Sequence, residues 1–313
     1  MNTEARILVA GQDTLIGRAI VDELRREGRS HIVPGLASGV EYADADKVRR
    51  LFRDTCPEYV FMCAGQTGGI LANVRRPASL MLDNLLCSSH VMACAHEFKA
   101  GKLLYLASSC SYPRECPQPM APESLLTGPL EPTNEAYAVA KLAGMALCRA
   151  YRQQHGCRFI VGIPANAFGP GDDFSDGNSH VVGALIRRMH AAKCAGERTV
   201  TVWGTGEARR DFIFAGDLAS ACIHVMRGYD GPVPINLGLD RDVSIADLAA
   251  MIQRVVGFKG TIVFDRTKPD GMPRKCLDAA PLRRLGWSAK GDLEEGLRHT
   301  YRWFQEKREP VAL

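Results

Sequence analysis

Long apolar runs are missing from this sequence of 313 residues. No stretch approaches the roughly 18 consecutive apolar residues of a membrane-spanning helix. The opening, Met1 to Arg6, lacks the apolar core of a signal peptide. Repeats, low-complexity segments and flexible linkers are also missing, while 46% hydrophobic and 24% charged residues provide for a sizeable core. We therefore expect a cytoplasmic α/β protein with no membrane partner.

Cysteine pairs with metal-ligand spacing are absent as well. The chain has eleven cysteines, an odd number, scattered without a C-x-x-C pair. This pattern argues against a disulfide framework and a zinc site, so we predict reduced thiols and no metal. The net charge of +4 is too small to indicate a nucleic-acid partner, and no basic stripe is interleaved with aromatic residues.

Strand and helix patterns alternate through the first half of the chain. Short apolar runs, which are typical of strands buried on both faces, are separated by segments whose apolar residues follow helical spacing. The predicted strands are 7–10, 31–33, 59–65, 102–107 and 159–163. Their order indicates an α/β fold with a doubly wound parallel sheet. The later pattern is fragmented and predicts a smaller, intertwined C-terminal unit. We expect one domain over 1–165 and 213–240, and a second over 166–212 and 241–313.

The first predicted strand leads into a glycine-rich turn. Residues Gly11 to Gly17 read GQDTLIG, and helical spacing follows them. Such a turn lets a dinucleotide pyrophosphate approach backbone amides at a helix N-terminus. Thr14 stands where the middle glycine is expected, so the segment also fits a plain strand-to-helix turn.

A polar constellation lies where ligands bind in such sheets. Tyr137 and Lys141 are four residues apart and share one helix face, while Ser108 follows the fourth strand. A ketone that accepts a hydride also needs a proton, which a tyrosine gives if its pKa is lowered. A lysine charge one turn away has the correct sign to lower it. The alternative is a solvated helix pair of no catalytic consequence.

Motifs along almost the whole chain carry a family resemblance. The chain resembles the extended short-chain dehydrogenase/reductase superfamily, a Rossmann-fold group, and within it the GDP-L-fucose synthase family. The matching segments are Ala10 to Gly17, Gly68 to Ile70, Ser108 to Pro113, Leu130 to Tyr137, Asn178 to Val181, Val202 to Gly204, and Lys268 to Lys275.

The resemblance implies two reactions around one carbonyl. It implies epimerisation of GDP-4-keto-6-deoxy-D-mannose at C3 and C5 by Cys110 and His180. It also implies NADPH-dependent reduction at C4 by Ser108, Tyr137 and Lys141, which gives GDP-L-fucose. A C4 ketone acidifies the hydrogens on both neighbouring carbons, so one oxygen-binding site serves both reactions. A thiolate as base needs a pKa below about 8.5, and a histidine near 6.5 suits the acid. The alternatives are a buried apolar thiol and a helix-capping histidine.

The resemblance also implies ligand contacts at named positions. The implied cofactor residues are Gly11, Gln12, Asp13, Thr14, Leu15, Ile16, Gly17, Ala64, Gly65, Ala107, Ser108, Tyr137, Lys141, Pro164, Ala165, Asn166, Ala167 and His180. The implied GDP-sugar residues are Arg188, Trp203, Arg210, Asp270 and Lys275, with Trp203 packing against the substrate. Arg274 also lies in a segment that we expect to face the cleft, whereas Arg187 and Arg209 are neighbours easily mistaken for the contacting arginines.

The cofactor end departs from the family pattern. The family uses NADPH and usually places arginines in the glycine turn and after the second strand to hold the 2′-phosphate. Here Gln12 to Thr14 and Pro34 to Ser38 contain none. We expect NADP(H), with NADH not excluded, and adenosine contacts from Asp44 or the region of Lys47.

Several alternatives stay open at this point. A related enzyme of GDP-colitose synthesis, or a reductase of another deoxyhexose or heptose, needs much the same residues. An NAD-retaining 4-epimerase or dehydratase is disfavoured, because dehydratases follow the serine with Thr-Asp-Glu rather than Ser109-Cys110-Ser111. A non-catalytic binding protein on the same fold is disfavoured by the intact polar set. The helices over 78–98 and 134–155 resemble those that pair in family homodimers.

Overall fold

A computed structural model describes residue 1 and residues 4–307 of the chain. In order, its elements are β1 Ile7–Ala10, α1 Leu15–Arg26, β2 Ile32–Val33, α2 Ala45–Thr55, β3 Tyr59–Met62, α3 Ile70–Arg75, α4 Pro77–Glu97, β4 Lys102–Leu106, α5 Glu135–His155, β5 Phe159–Pro164, β6 Asn166–Phe168, α6 Val181–Ala195, β7 Thr199–Trp203, β8 Arg209–Arg210, β9 Phe212–Phe214, α7 Ala215–Gly228, β10 Ile235–Leu237, β11 Val243–Ser244, α8 Ile245–Val256, β12 Thr261–Asp265, β13 Arg274–Lys275, α9 Ala280–Arg284 and α10 Leu293–Lys307.

The main sheet has six parallel strands in the order β2-β1-β3-β4-β5-β10. The order reverses between β1 and β3, which is the switch point where doubly wound sheets open a ligand crevice. Helix α1 packs beside α7, and α4 packs against both α2 and α5. The predicted doubly wound α/β fold is therefore confirmed.

Most predicted boundaries agree with the structure to within a residue or two. The strand expected over 59–65 is the clearest exception, because β3 ends at Met62. Gly65 has φ +112°, a backbone conformation outside any strand, so the chain has already turned towards the cleft. The expectation that 235–238 returns to the main sheet is confirmed by the pairing of β10 with β5.

Buried apolar side chains form two clusters. The larger cluster surrounds the main sheet, where Val9, Phe61 and Leu104 have no exposed surface. The smaller cluster lies among α6, α8 and α10 and includes Leu185 and Ile252. The predicted domain division stays a proposal. Met272 to Trp287 lies in the predicted second domain, yet this segment contributes side chains to the larger cluster.

The smaller unit carries short strands that frame one wall of the crevice. Strands β11, β8 and β13 form a three-stranded sheet, β12 pairs with β7, and β6 pairs with β9. Within the described residues, no helix is both long enough and apolar enough to cross a membrane.

Candidate active site

A cleft of about 1160 Å³ runs along the carboxyl ends of the main strands. Cys63, Ala107 and Ala165 line it directly after β3, β4 and β5. The cleft extends from Asp13 in the glycine turn to Trp203 in the smaller unit. It therefore joins the predicted cofactor end to the predicted substrate end.

The glycine turn is closed by packing that admits no side chain at two positions. Gly11 has φ +82°, and a Cβ there would lie 2.6 Å from the Ala64 nitrogen. A Cβ at Gly17 would lie 2.0 Å from the Gly11 oxygen. Thr14 has φ −76°, so no glycine is needed there, and its hydroxyl accepts from the Gly17 amide and donates to the Gly11 carbonyl. Thr14 thus caps α1 and fastens the turn.

The cleft collects most of the predicted cofactor residues. Those that line it are Asp13, Thr14, Leu15, Ile16, Ala64, Gly65, Ala107, Ser108, Tyr137, Lys141, Pro164, Ala165, Asn166, Ala167 and His180. Gly11, Gln12 and Gly17 do not line it, and the two glycines serve the site through close packing instead. The turn, the N-terminus of α1 and the strand ends fit the pyrophosphate and nicotinamide parts of a dinucleotide.

The glycine turn itself carries a carboxylate rather than a cation. Asp13 Oδ2 accepts from the Gly39 amide at 3.0 Å, while Asp13 Oδ1 is buried without a hydrogen-bond partner. Asp44 caps α2 through the Lys47 amide, and the Lys47 ammonium donates to Glu41 at 2.7 Å. The structure therefore engages both adenosine candidates elsewhere, and the glycine turn contains no arginine that could hold a 2′-phosphate.

Ser108, Tyr137 and Lys141 line one part of the cleft. Ser108 follows β4, and its hydroxyl accepts from the Cys110 amide at 3.2 Å. Lys141 Nζ lies 5.7 Å from the centroid of the Tyr137 ring and donates to the Leu106 carbonyl at 3.2 Å. The spacing on α5 thus places the lysine beneath the tyrosine, as predicted.

Our expectation of a lowered tyrosine pKa is wrong. Burial raises the pKa of Tyr137, the charge of Cys110 raises it further, and hydrogen bonds with Ser108 and Thr67 oppose the shift. Burial also lowers the pKa of Lys141 to about 8. Tyr137 therefore keeps its proton throughout the neutral range but is a weaker acid than an ordinary phenol, and Lys141 is charged only below about pH 8.

The Cys110 thiol lies next to the same constellation. Its sulfur accepts from Lys275 Nζ at 3.2 Å and from Asn134 Nδ2 at 3.2 Å. Burial opposes ionisation of the thiol, but the Lys275 charge and the Ser108 hydrogen bond outweigh burial, so the pKa of Cys110 is lowered. Asn134 was not among the predicted site residues. The sequence signal for Asn134 is its place in the family-matching segment from Leu130 to Tyr137, just before the helix that carries the tyrosine.

His180 occupies the N-cap position of α6 but makes no side-chain capping hydrogen bond. Its side chain lines the cleft instead, so the capping alternative is not realised. Burial lowers the pKa of His180, the charge of Lys275 lowers it further, and Asp173 opposes both. The imidazolium is therefore a stronger acid than an ordinary histidine, with a smaller protonated fraction at neutral pH.

At the predicted nucleotide-sugar end of the cleft, neighbouring arginines have different partners. Arg188 lies 5.8 Å over the Trp203 ring and lines the cleft, and Trp203 is 43% exposed. Arg187 instead pairs with Asp176. This position of Arg188 agrees with our choice between the two neighbours.

A second arginine pair separates in the same way. Arg210 lines the cleft and donates to the Asp270 carbonyl at 3.1 Å, whereas Arg209 pairs with Asp242. The expectation that Arg274 faces the cleft is wrong, because it also pairs with Asp242, at 2.5 Å.

Asp270 and Lys275 line the cleft, but their polar atoms are already engaged. Both carboxylate oxygens of Asp270 accept from Thr205, through its amide at 2.8 Å and its hydroxyl at 2.9 Å. Lys275 donates to Cys110 rather than pointing to an open anion site. Arg188 and Arg210 also line the cleft, and they are the cations that we predict to hold the diphosphate.

Comparisons with known proteins agree with this geometry. The model of the NAD dependent epimerase/dehydratase family matches residues 7–238. GDP-L-fucose synthase 1 of Arabidopsis thaliana is 44% identical over 300 residues, covering 96% of this chain and 93% of that protein.

Two solved structures share the fold over nearly the whole chain. A GDP-6-OMe-4-keto-L-xylo-heptose reductase from C. jejuni has a TM-score of 0.93 at 29% identity, covering 98% of this chain and 99% of that one. A GDP-L-fucose synthetase from Naegleria fowleri bound to NADP has a TM-score of 0.89 at 29% identity, covering 98% and 94%.

Proposed function

The chain belongs to the NAD dependent epimerase/dehydratase family, and on that premise we propose that it converts GDP-4-keto-6-deoxy-D-mannose to GDP-L-fucose. The conversion comprises epimerisation at C3 and C5 and reduction at C4 with NADP(H). Identity of 44% to a GDP-L-fucose synthase over 96% of the chain supports this substrate. The cofactor is supported by the NADP-bound relative and by the closely packed glycine turn.

One observation carries the proposal: a thiol whose sulfur accepts from Lys275 and Asn134 lies inside a ketone-reducing site. Cys110 is two residues from Ser108 and its charge acts on Tyr137. A reductase alone has no use for an ionised thiol at that place. An epimerase needs a base beside a carbonyl, and Cys110 supplies one.

The epimerisations follow from proton transfer next to the C4 ketone. The Cys110 thiolate removes a proton from C3 or C5, and the electron pair of the broken C–H bond moves onto the C4 oxygen. Ser108 and Tyr137 direct hydroxyl groups at that oxygen and stabilise its growing charge. His180 delivers a proton to the opposite face of the carbon, which inverts its configuration.

The reduction uses the same oxygen site. A reduced nicotinamide cofactor, when bound along the glycine turn, supplies the hydride for C4. Tyr137 gives its proton to the C4 oxygen, and the Lys141 ammonium stabilises the phenolate that forms. Arg188 and Arg210 hold the diphosphate, so that the sugar reaches the carbonyl site in one orientation.

Isotope exchange without cofactor tests the epimerase half. The purified protein is incubated with GDP-4-keto-6-deoxy-D-mannose in D₂O, and NMR follows loss of the C3 and C5 protons. We expect exchange at both carbons, and Cys110→Ser to slow it by about 10²-fold or more, the usual contribution of a general base. Cys56→Ser, an exposed thiol outside the cleft, is the control that keeps the wild-type rate.

Other outcomes of this test separate the alternatives. Exchange at C5 alone would replace the proposal by a 5-epimerase/4-reductase of the kind that makes colitose. No exchange, with reduction intact, would leave a simple keto-sugar reductase such as the heptose-specific structural relative. Copurifying NAD with no net cofactor turnover would point to a 4-epimerase.

We also propose a cytoplasmic homodimer. Helices α4 and α5 pack together, and both expose large apolar side chains. Leu82 on α4 is 56% exposed and Val139 on α5 is 36% exposed. An apolar helical surface of this kind is typical of an interface between copies of a chain.

A further inference from the structure

Lys275 is a buried lysine whose only described acceptor is a sulfur atom. It lies in β13 and is 7% exposed, yet no described carboxylate forms an ion pair with it. Its Nζ donates to Cys110 Sγ at 3.2 Å across 165 positions of the chain. A buried ammonium is costly unless a negative partner offsets its charge. A thiolate at Cys110 would be such a partner.

Asn134 donates a second hydrogen bond to the Cys110 sulfur, from another segment of the chain. Its Nδ2 donates to Cys110 Sγ at 3.2 Å, while its Oδ1 is buried without a hydrogen-bond partner. The amide therefore presents its donor to the sulfur even though its own acceptor stays unsatisfied. A sulfur that accepts from two donors is better described as a thiolate than as a thiol, which has a proton of its own to place.

The groups that shift the pKa of the Cys110 thiol most include no carboxylate, although the buried Glu131 carboxylate lines the same cleft. Arg210, from β8, adds a second positive charge, and Ser108 contributes a hydrogen bond that lowers the pKa of the thiol. Tyr137 is neutral because its pKa is raised, and burial with Lys275 lowers the pKa of His180. The groups that lower the pKa of the thiol thus supply positive charge and hydrogen bonds, from β8, β13 and the segments that hold Ser108 and Asn134.

We propose that Lys275, assisted by Asn134, holds Cys110 as a thiolate and so acts as a positioning residue for the epimerisation base. This assignment replaces the substrate contact expected for Lys275, and it names the group that makes Cys110 a base in the proposed function on which it rests. Ionisation releases the thiol proton to bulk water. No oxidant, reductant or further reactant is needed.

Two other roles for Lys275 make different predictions. A lysine that binds the substrate diphosphate would raise KM on removal and leave Cys110 unchanged in the free protein. A lysine that only stabilises the fold would change the free energy of unfolding without changing the thiol selectively. Only a lysine that acts through the sulfur changes the ionisation of Cys110 in the absence of substrate.

The test is the pH dependence of alkylation of Cys110 in the free, full-length protein. Iodoacetamide reacts with the thiolate, and peptide mass spectrometry distinguishes Cys110 from the other ten cysteines. In the wild type we expect a midpoint below the ordinary value of about 8.5. Lys275→Met should raise it by about one pH unit or more, the usual effect of one close opposite charge. Lys275→Arg should restore most of the difference.

Two controls keep the result interpretable. Arg274→Gln removes a positive charge from the same strand, but Arg274 pairs with Asp242 outside the cleft, so the Cys110 midpoint should stay at the wild-type value. The exposed Cys56 in each sample gives an internal reference for reagent and protein quality. If Lys275→Met does not fold, Asn134→Ala replaces it and should raise the midpoint by a smaller amount.

A Cys110 midpoint that is unchanged in folded Lys275→Met, or in Asn134→Ala where that variant replaces it, would overturn the proposal. Because no substrate is present, this outcome is distinct from failure of the proposed function. A protein that turns over no GDP-sugar but shows the shift would lose the proposed function and keep the thiolate. A protein that epimerises but shows no shift in Lys275→Met would keep the proposed function and rule out the proposed role of Lys275.

Discussion

Lys141 and Tyr137 share one face of α5, and burial sets the protonation of each. The pKa of Lys141 is lowered to about 8, so its ammonium form is complete well below that pH and lost above it. The pKa of Tyr137 is raised, so the phenol keeps its proton over the same range. The basic limit of the reduction should therefore belong to the lysine and not to the tyrosine.

We expect hydride transfer to fall as pH rises through about 8, because a neutral Lys141 no longer stabilises the Tyr137 phenolate. Single-turnover oxidation of the reduced cofactor, followed by absorbance between about pH 6 and 10, measures this. Lys141→Arg stays charged, so its fall should move to higher pH even though its plateau is lower. A midpoint shared by both proteins would contradict the role of Lys141.

We expect Asp13 to affect the preference of the protein for NADPH over NADH. Its Oδ1 is buried beside Gly39 without a described hydrogen-bond partner, in a glycine turn that contains no arginine. We expect Asp13→Arg to tighten NADPH relative to NADH by about tenfold, the ratio that ~1.4 kcal/mol represents. Binding titrations of both cofactors measure the ratio without any turnover. Asp13→Asn, which removes the charge alone, should fall between the two, and an unchanged ratio in Asp13→Arg would count against this role.

Residue-level roles were only partly predictable from the sequence. Cys110, His180 and Arg188 were found from motif context, and the structure brings them to one cleft. The partners of Lys275 and Arg274 were not predictable, because adjacent residues of β13 point to different neighbours. The tyrosine pKa was missed for a similar reason: helical spacing gives the lysine's position but not how deeply both groups are buried.

Among the secondary-structure elements, we expect the close packing of the turn between β1 and α1 to matter for both stability and cofactor binding. Gly17→Ala puts a Cβ against the Gly11 carbonyl, which is backbone and cannot move aside cheaply. We expect a loss of about 1–3 kcal/mol in the free energy of unfolding, as for overpacked sites, together with weaker cofactor binding. Urea unfolding and cofactor titration measure the two effects.

Gly228→Ala at the end of α7 is the matched control for Gly17→Ala. A Cβ there meets no atom within 4 Å, so the free energy of unfolding should change by no more than about 0.5–1 kcal/mol. Equal stability of the two variants would show that close packing at Gly17 is unimportant.

The main sheet was predictable because its strands are short apolar runs with unambiguous order. The residues of β1 and β4, buried along their whole length, produce the continuous pattern from which both strands were predicted. The small strands β8, β11 and β13 were not predicted. Each has two residues and is held by pairing with distant segments rather than by a pattern of its own.

At the scale of the whole molecule, the proposed dimer depends on exposed apolar residues of α4 and α5. We expect sedimentation to give twice the chain mass of 34.2 kDa for the wild type, and a monomer for Leu82→Asp with Val139→Asp. Val233→Asp changes a residue that is 50% exposed outside these helices and should leave the dimer intact. A wild-type protein that sediments as a monomer would contradict the proposed dimer.

The central claim is that one carbonyl site performs two epimerisations and a reduction. Product NMR after incubation of GDP-4-keto-6-deoxy-D-mannose with NADPH in D₂O tests it most directly. We expect GDP-L-fucose with deuterium at C3 and C5 and protium, from the cofactor, at C4. A product that retains protium at C3 and C5, or substrate recovered with the cofactor unoxidised, would contradict it.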